Sequence, residues 1–183
     1  MKYVWSTVRR DVRTALMFAL SAASLCRAQS VALGLSSGSA VAGNLVTLNL
    51  NLKAASTLPS AVQWTIAYST VDFGSAIIAA GPAATAAHKQ LSCRNRAGSA
   101  TCLIWGLNNT PISSGVLATV SLPVNHTLDA SSQLQLTSSS AADPAGAQLG
   151  ISTTGGTVTI SPDPADLYGF RYLSRHRQAL HAP

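Results

Sequence analysis

Gly43-Asn44-Leu45-Val46-Thr47-Leu48-Asn49-Leu50-Asn51-Leu52-Lys53 decides how this chain folds. Val46, Leu48, Leu50 and Leu52 alternate with Thr47, Asn49, Asn51 and Lys53. A period of two puts successive side chains on opposite sides of an extended backbone, one side buried and the other wet. An amphipathic helix would need apolar residues three and four apart.

The same alternation recurs along the chain. Ala61 to Tyr68 carries Val62, Trp64, Ile66 and Tyr68 on one side. Gly115 to Val124 carries Val116, Ala118, Val120, Leu122 and Val124, and Gln133 to Thr137 offers Leu134 and Leu136. Val31 to Leu35 reads as an opening strand and Thr157 to Ile160, after Gly155-Gly156, as a closing one. Between them stand turn formers: Gly38, Gly43, Pro59, Gly81-Pro82, Asn108-Asn109-Thr110-Pro111 and Asp143-Pro144. The expected fold is all-β, a two-layer antiparallel sandwich of jelly-roll type with about 8–9 short strands. Its expected core holds Val46, Leu48, Leu50, Leu52, Val62, Trp64, Ile66, Trp105, Val116, Val120 and Leu122. The wet faces are Thr47/Asn49/Asn51 and Leu117/Thr119/Ser121.

Composition excludes other classes. The chain has 183 residues, a one-domain length, and 10% of them are charged. All six acidic residues are Asp, and glutamate is absent. Long helices draw their solvent faces from Glu, Lys and Arg, so a helical bundle is excluded. The net charge of +6 is concentrated at the start. Residues 1–28 hold five Lys or Arg against Asp11, 5 − 1 = +4, which leaves 7 − 5 = +2 for residues 29–183. No basic face survives that division, and nucleic acid is not an expected partner.

Residues 1–28 read as a secretion signal. Met1 to Arg13 is basic, Thr14 to Leu25 is apolar, and Cys26-Arg27-Ala28 places small residues for cleavage after Ala28. The apolar run is too short for a permanent span, so the mature chain is expected to cross no membrane and to be secreted or extracellular. An uncleaved anchor is the alternative; a lipoprotein using Cys26 is disfavoured by bulky Leu25. Cleavage leaves Cys93 and Cys102, an even count in an exported chain. They flank Asn95-Arg96-Ala97-Gly98-Ser99, a hairpin whose turn at Ala97/Gly98 sets the two thiols opposite each other. A disulfide staple is the expectation; a redox pair or metal site lacks a Cys-x-x-Cys. Pro162 and Pro164 then end the sandwich, and residues 161–183 read as a tail, disordered or a short helix.

Catalytic groups are scarce. No calcium loop or phosphate-binding glycine loop is present, and no cofactor or metal is implied. His88 and His126 read as solvated strand-edge residues. Asp72, Asp129 and Asp143 could pair for glycoside hydrolysis, but each adjoins a turn signal and reads as a turn former. Trp64 and Trp105 read as core, leaving no aromatic platform for sugar. Asn108-Asn109-Thr110 and Asn125-His126-Thr127 fit the glycosylation sequon and read as loops. The chain is not expected to be an enzyme.

Four segments together resemble the cohesin domain of cellulosomal scaffoldins. Gly43-Asn44-Leu45-Val46-Thr47-Leu48-Asn49-Leu50 resembles the family's early strand, and Val62-Gln63-Trp64-Thr65-Ile66-Ala67-Tyr68 its strand ending in tyrosine. Gly115-Val116-Leu117-Ala118-Thr119-Val120-Ser121-Leu122-Pro123-Val124 resembles the Gly-x-Leu-Ala strand, and Gly155-Gly156-Thr157-Val158-Thr159-Ile160 the last strand. The chain departs where Ser69-Thr70 replaces the family's Asp-Pro, with Asp72 later, and in its cysteine pair. The resemblance covers the domain assigned to 29–160. It implies a non-catalytic module that binds a dockerin-like protein partner in a polysaccharide-related assembly. The family's contact residues vary, so none is assigned. The alternatives are a carbohydrate-binding module of the same fold, taking polysaccharide, and a structural or adhesive surface domain.

Overall fold

The computed structural model describes residues 31–127 and 129–164. The assigned signal, 1–28, and residues 165–183 of the tail lie outside the described residues. The described chain is nearly all strand: β1 (Val31–Leu35), β2 (Gly38–Val41), β3 (Leu45–Ala54), β4 (Ala61–Ala67), β5 (Ile77–Ala80), β6 (Gln90–Arg96), β7 (Ser99–Trp105), β8 (Gly115–Pro123), β9 (Ser131–Ala142), β10 (Gln148–Leu149), β11 (Ile151–Thr154) and β12 (Gly156–Ser161). One short helix, α1 (Pro82–Ala86), follows β5.

Two sheets face each other. One runs β11-β1-β3-β8-β5; the other runs β2-β12-β9-β4-β7-β6, with β10 hydrogen-bonded to β9. Leu48, Leu50, Val120 and Leu122 from the first meet Val62, Trp64, Ile66, Ile104, Leu134 and Val158 from the second, all buried. Alternation thus gives each sheet one apolar side, and the two sides close one core.

The all-β sandwich agrees with the sequence, and two details differ. β1 pairs β11 in parallel, and β12 pairs β2 in parallel, so both sheets are mixed rather than purely antiparallel. Among the described residues the strands number twelve, the short β2, β5, β10 and β11 being additional to those expected. Ile77-Ile78-Ala79-Ala80 in β5 carries no polar alternation to announce it.

Two bulges reset the alternation. Between β3 and β8, Leu50 opposes Ala118 and Asn51 opposes Val116, so Leu117 has no partner. Leu117 and Ala118 are therefore both buried, while Val116 is half-buried. This corrects the expected faces of β8: an extra residue flips the phase of what precedes it. Gly81 packs on the bulge, donating to the Leu117 carbonyl at 2.8 Å, and a Cβ there would lie 2.4 Å from the Val116 oxygen. The second bulge lies on β9. Gln63 opposes Ser140 and Thr65 opposes Thr137, which leaves Ser138 and Ser139 opposite Trp64. Ser138 takes a φ of +48°, in the left-handed region.

The hairpin β6–β7 turns at Ala97-Gly98, where Gly98 has φ +71°. Cys93 and Cys102 are register partners 4.1 Å apart at Cα and form a disulfide. Cys102 is buried and Cys93 exposed, so the bond ties edge strand β6 to the core-facing side of β7.

Candidate functional site

The alternation of β7 runs opposite to the sequence reading. Ala100, Cys102 and Ile104 point inward, with at most 1% exposure. Leu103 and Trp105 point outward at 37% and 38%, and Leu107 just beyond is 98% exposed. Trp105 is thus not a core residue. The physical reason is volume. The inward side of β4 already holds Val62, Trp64 and Ile66, whose partners across the ladder are Ile104, Cys102 and Ala100. Small partners leave room for the buried Trp64 indole, and the larger set is turned to solvent. Ser99 and Thr101, in phase with Leu103 and Trp105, are the polar signal of the wet side that the sequence does contain.

Register then defines the outer face of the seven-stranded sheet. Trp105 stands beside Gln90, Leu103 between Ser92 and Gln63, and Thr101 between Arg94 and Thr65. Thr65 and Thr101 share a hydroxyl hydrogen bond of 2.9 Å. The Leu103–Trp105 ridge lies between two depressions. One, about 260 Å³, is lined by Ala61, Gln63, Leu103, Ser140, Gly146 and Gln148 among others. The other, about 370 Å³, is lined by His88, Gln90, Trp105, Gly106, Leu107 and Asn108.

Hydrogen bonds hold the rim beside Trp105. Lys89 is 7% exposed, and its Nζ donates to the Asn108 carbonyl at 3.0 Å and to Asn108 Oδ1 at 2.8 Å. Burial pushes the Lys89 ammonium below its ordinary pKa. Asn108 Nδ2 donates to the carbonyls of Ala87 and His88. α1 ends there with His88 at φ +53°, His88 N bonded to Thr85 O and Lys89 N to Ala84 O, the Schellman pattern with histidine in the usual glycine position. At the other depression Asp143 accepts from the amides of Ala145 and Ala147 at 2.9 and 2.8 Å, fixing the β9–β10 turn.

The three aspartates are not brought together as a catalytic group. Asp143 caps its own turn. Asp72 and Asp129 hydrogen-bond at the opposite end of the sandwich, where 69–73 follows β4 and 125–127 follows β8. Asp72 lies in a turn, as the sequence suggests, and is buried there at 3% exposure. It receives the Thr127 hydroxyl at 2.9 Å, while its amide faces Ser69 Oγ at 3.3 Å and its carbonyl accepts from Asn125 N at 2.8 Å. Burial works to raise its pKa. Hydrogen bonds with Ser132, Thr127, Ser69 and Asp129 together outweigh burial and hold the carboxyl below its ordinary 3.8. Tyr68, edge-on to Phe73 at 6.4 Å, accepts from the Ala76 amide through its hydroxyl and completes this corner. Asp72 is a structural knot that joins two sheet-crossing connections.

Both sequon asparagines are pins as well. Asn108 holds the Trp105 rim, and Asn125 Nδ2 donates to the carbonyls of Thr70 and Val71. His88 and His126 are exposed on different loops. Among the described residues, no three His, Cys, Asp or Glu side chains cluster to hold a metal, and no helix is long and apolar enough to cross a membrane.

No family model matches the chain, and no curated protein matches it by sequence. Solved structures do match it in three dimensions. A cohesin from Clostridium acetobutylicum, CaCohA2, solved in complex with the dockerin CaDoc0917, is 18% identical with a TM-score of 0.63, over 72% of this chain and 99% of that one. The non-cellulosomal cohesin of the archaeon Archaeoglobus fulgidus is 16% identical at TM-score 0.63, over 76% and 97%. The type I cohesin–dockerin complex Coh-OlpC–Doc435 of Clostridium thermocellum aligns at 12% identity and TM-score 0.66, over 75% and 97%. The sandwich formed by the described residues of this chain has the cohesin fold.

Proposed function

We propose that this protein is an exported, non-catalytic binding module that docks a protein partner on the outer face of its seven-stranded sheet. One observation carries the reading. That face exposes an indole and a leucine side by side, Trp105 and Leu103, between two depressions. Aromatic and aliphatic anchors beside hollows are what protein interfaces bury at their centres. The fold supports a protein partner, since structures that share it are complexes with dockerins. The disulfide and the 1–28 segment support export. A dockerin-like partner in a polysaccharide-related assembly follows from the same likeness.

The wild-type protein, immobilised, should retain one or a few partners from the producing organism's secreted proteins. Trp105→Ala and Leu103→Ala should each lose them while unfolding at nearly the wild-type temperature. Retention of the same partners by both variants would remove this face from the function.

A second reading rests on the same tryptophan. An exposed indole beside Gln90 and Asn108 could stack on a sugar ring. Among the described residues it is a lone ring, since Trp64, Tyr68 and Phe73 are buried. Retardation of the wild type, but not of Trp105→Ala, in a gel containing cellulose derivatives or other polysaccharides would favour carbohydrate over protein.

A further inference from the structure

The seven-stranded sheet is built from β2, β4, β6, β7, β9, β10 and β12, and its strands contain two charged residues, Arg94 and Arg96. Both lie on β6, and both are exposed. Register places them on the outer face, in the ladder that carries the apolar ridge. Gln90 opposes Trp105, Ser92 opposes Leu103, Arg94 opposes Thr101 and Arg96 opposes Ser99. The two guanidinium stems therefore leave the same face about 7 Å apart along the strand, at the end of the ridge away from Trp105. Neither meets a carboxylate among the described residues. No Asp lies on β4, β6 or β7; Asp72, in the connection that packs at this same end of the sandwich, is buried with its carboxylate held by Thr127, and Asp143 is occupied by its own turn at the other end.

Two unpaired arginines add nothing to folding that a polar residue would not. An exposed guanidinium offers a planar fork of donors that matches a carboxylate bidentately. A partner that covers Leu103 and Trp105 must also desolvate or pair these groups, and a basic partner would be repelled. The chain's own tail is an unsuitable occupant on that ground, because residues 165–183 hold Arg171, Arg175 and Arg177 against Asp166. A second copy meeting this face would bring its own Arg94 and Arg96 and, from the strands of the same sheet, no carboxylate to pair with them.

We infer that the docking face selects an acidic partner, an apolar segment that seats on Leu103 and Trp105 and ends in Asp or Glu side chains paired with Arg94 and Arg96. This rests on the docking reading proposed above. The arginines act as specificity and orientation determinants, and the ridge supplies the adhesion. A competing role exists for charge on β6. It is an edge strand, and charged side chains there deter edge-to-edge pairing of sheets. That role needs charge of either sign and makes no choice among partners.

A randomised peptide display library panned on the full exported protein separates these roles. The wild type, the Arg94→Glu/Arg96→Glu double variant and Leu103→Asp are panned in parallel. The wild-type pool should be enriched in Asp and Glu beside apolar anchors, and the double-variant pool in Lys and Arg. Peptides from the wild-type pool should bind the double variant about tenfold or more weakly, with most of that preference lost in about 0.5 M NaCl. Leu103→Asp should hold neither pool. Pools of equal charge from the wild type and the double variant would overturn the acidic selection and leave the arginines as edge protection. Undiminished binding of the pools to Leu103→Asp would overturn the docking face itself, as would a salt-insensitive dimer of the protein that this substitution dissolves.

Discussion

The two sheets of this sandwich are alike inside and unlike outside. Their inner sides are interchangeable in kind, both closed arrays of Leu, Val, Ile and Ala around Trp64. The outer side of the five-stranded sheet shows Thr47, Asn49, Asn51, Thr119 and Ser121, short side chains that bond to each other or to their own backbone, as Thr47 does to Ser121 at 3.0 Å. Its exposed aliphatics, Leu45 and Ile77, sit towards one corner. The outer side of the seven-stranded sheet has longer chains, an indole, two hollows and two arginines. Folding constrains the inner sides, because a core must be filled at crystal-like density. It leaves the outer sides free to diverge, and recognition is written there.

The largest effect should come from crossing between the inner and outer sides of one strand. Leu50→Ala empties a fully buried site and should cost about 2–5 kcal/mol, whereas Asn49→Ala next to it should change stability by less than about 0.5 kcal/mol. Urea unfolding of both variants measures the contrast. Comparable losses would mean that β3 is not divided into a wet and a dry side.

Removing the staple loosens one sheet and leaves the other alone. Cys93→Ser with Cys102→Ala opens the loop closed between cysteines nine residues apart and should cost about 2–3 kcal/mol. Hydrogen exchange should speed up in β6 and its partner β7, with β3 and β8 keeping their protection. Titration of the denatured, unreduced protein lacking residues 1–28, and with them Cys26, should find no free thiol.

The tie between the sheets depends on pH. The Asp72 carboxyl titrates lower in the folded protein than its unfolded 3.8. Its stabilisation is therefore complete above the unfolded pKa and disappears as pH falls through the folded one. Asp72→Asn should lose about 1–3 kcal/mol at pH 7, because a buried acceptor network is broken, and the gap to wild type should narrow below about pH 4. Thermal unfolding of both proteins across that range measures it. A gap that widens on acidification would reverse the assignment.

A small effect on stability should accompany the largest on binding. Trp105→Ala should shift stability by about 1 kcal/mol or less, since the indole is 38% exposed, and should abolish partner retention. Thr119→Ala on the opposite face should do neither.

Much of this was legible along the chain. The alternation at 44–53 and 61–68, and the turn at Ala97-Gly98 that sets Cys93 against Cys102, required only local information. A period of two and a two-residue turn are properties of neighbouring residues. Where both phases of a strand were apolar, local information failed. β7 offers Ala100/Cys102/Ile104 and Leu103/Trp105/Leu107, and the larger set looked like core. The opposing volume of Trp64 gave the inward places to the smaller set, and β4 lies more than thirty residues away in sequence. The extra residue at Leu117 was equally invisible, because a bulge is defined by the strand it faces.

The sequence by itself determined an all-strand chain, its main strands, the sides of β3 and β4, and the disulfide partners. Only the tertiary structure decided which side of β7 faces water, that Asp72 is buried, and that Arg94 and Arg96 share a face with Leu103 and Trp105. Pairing within a hairpin is set by the turn that joins its strands. Which of two apolar sides is buried depends on the space left by strands brought in from elsewhere, and that space exists only once the sandwich has closed.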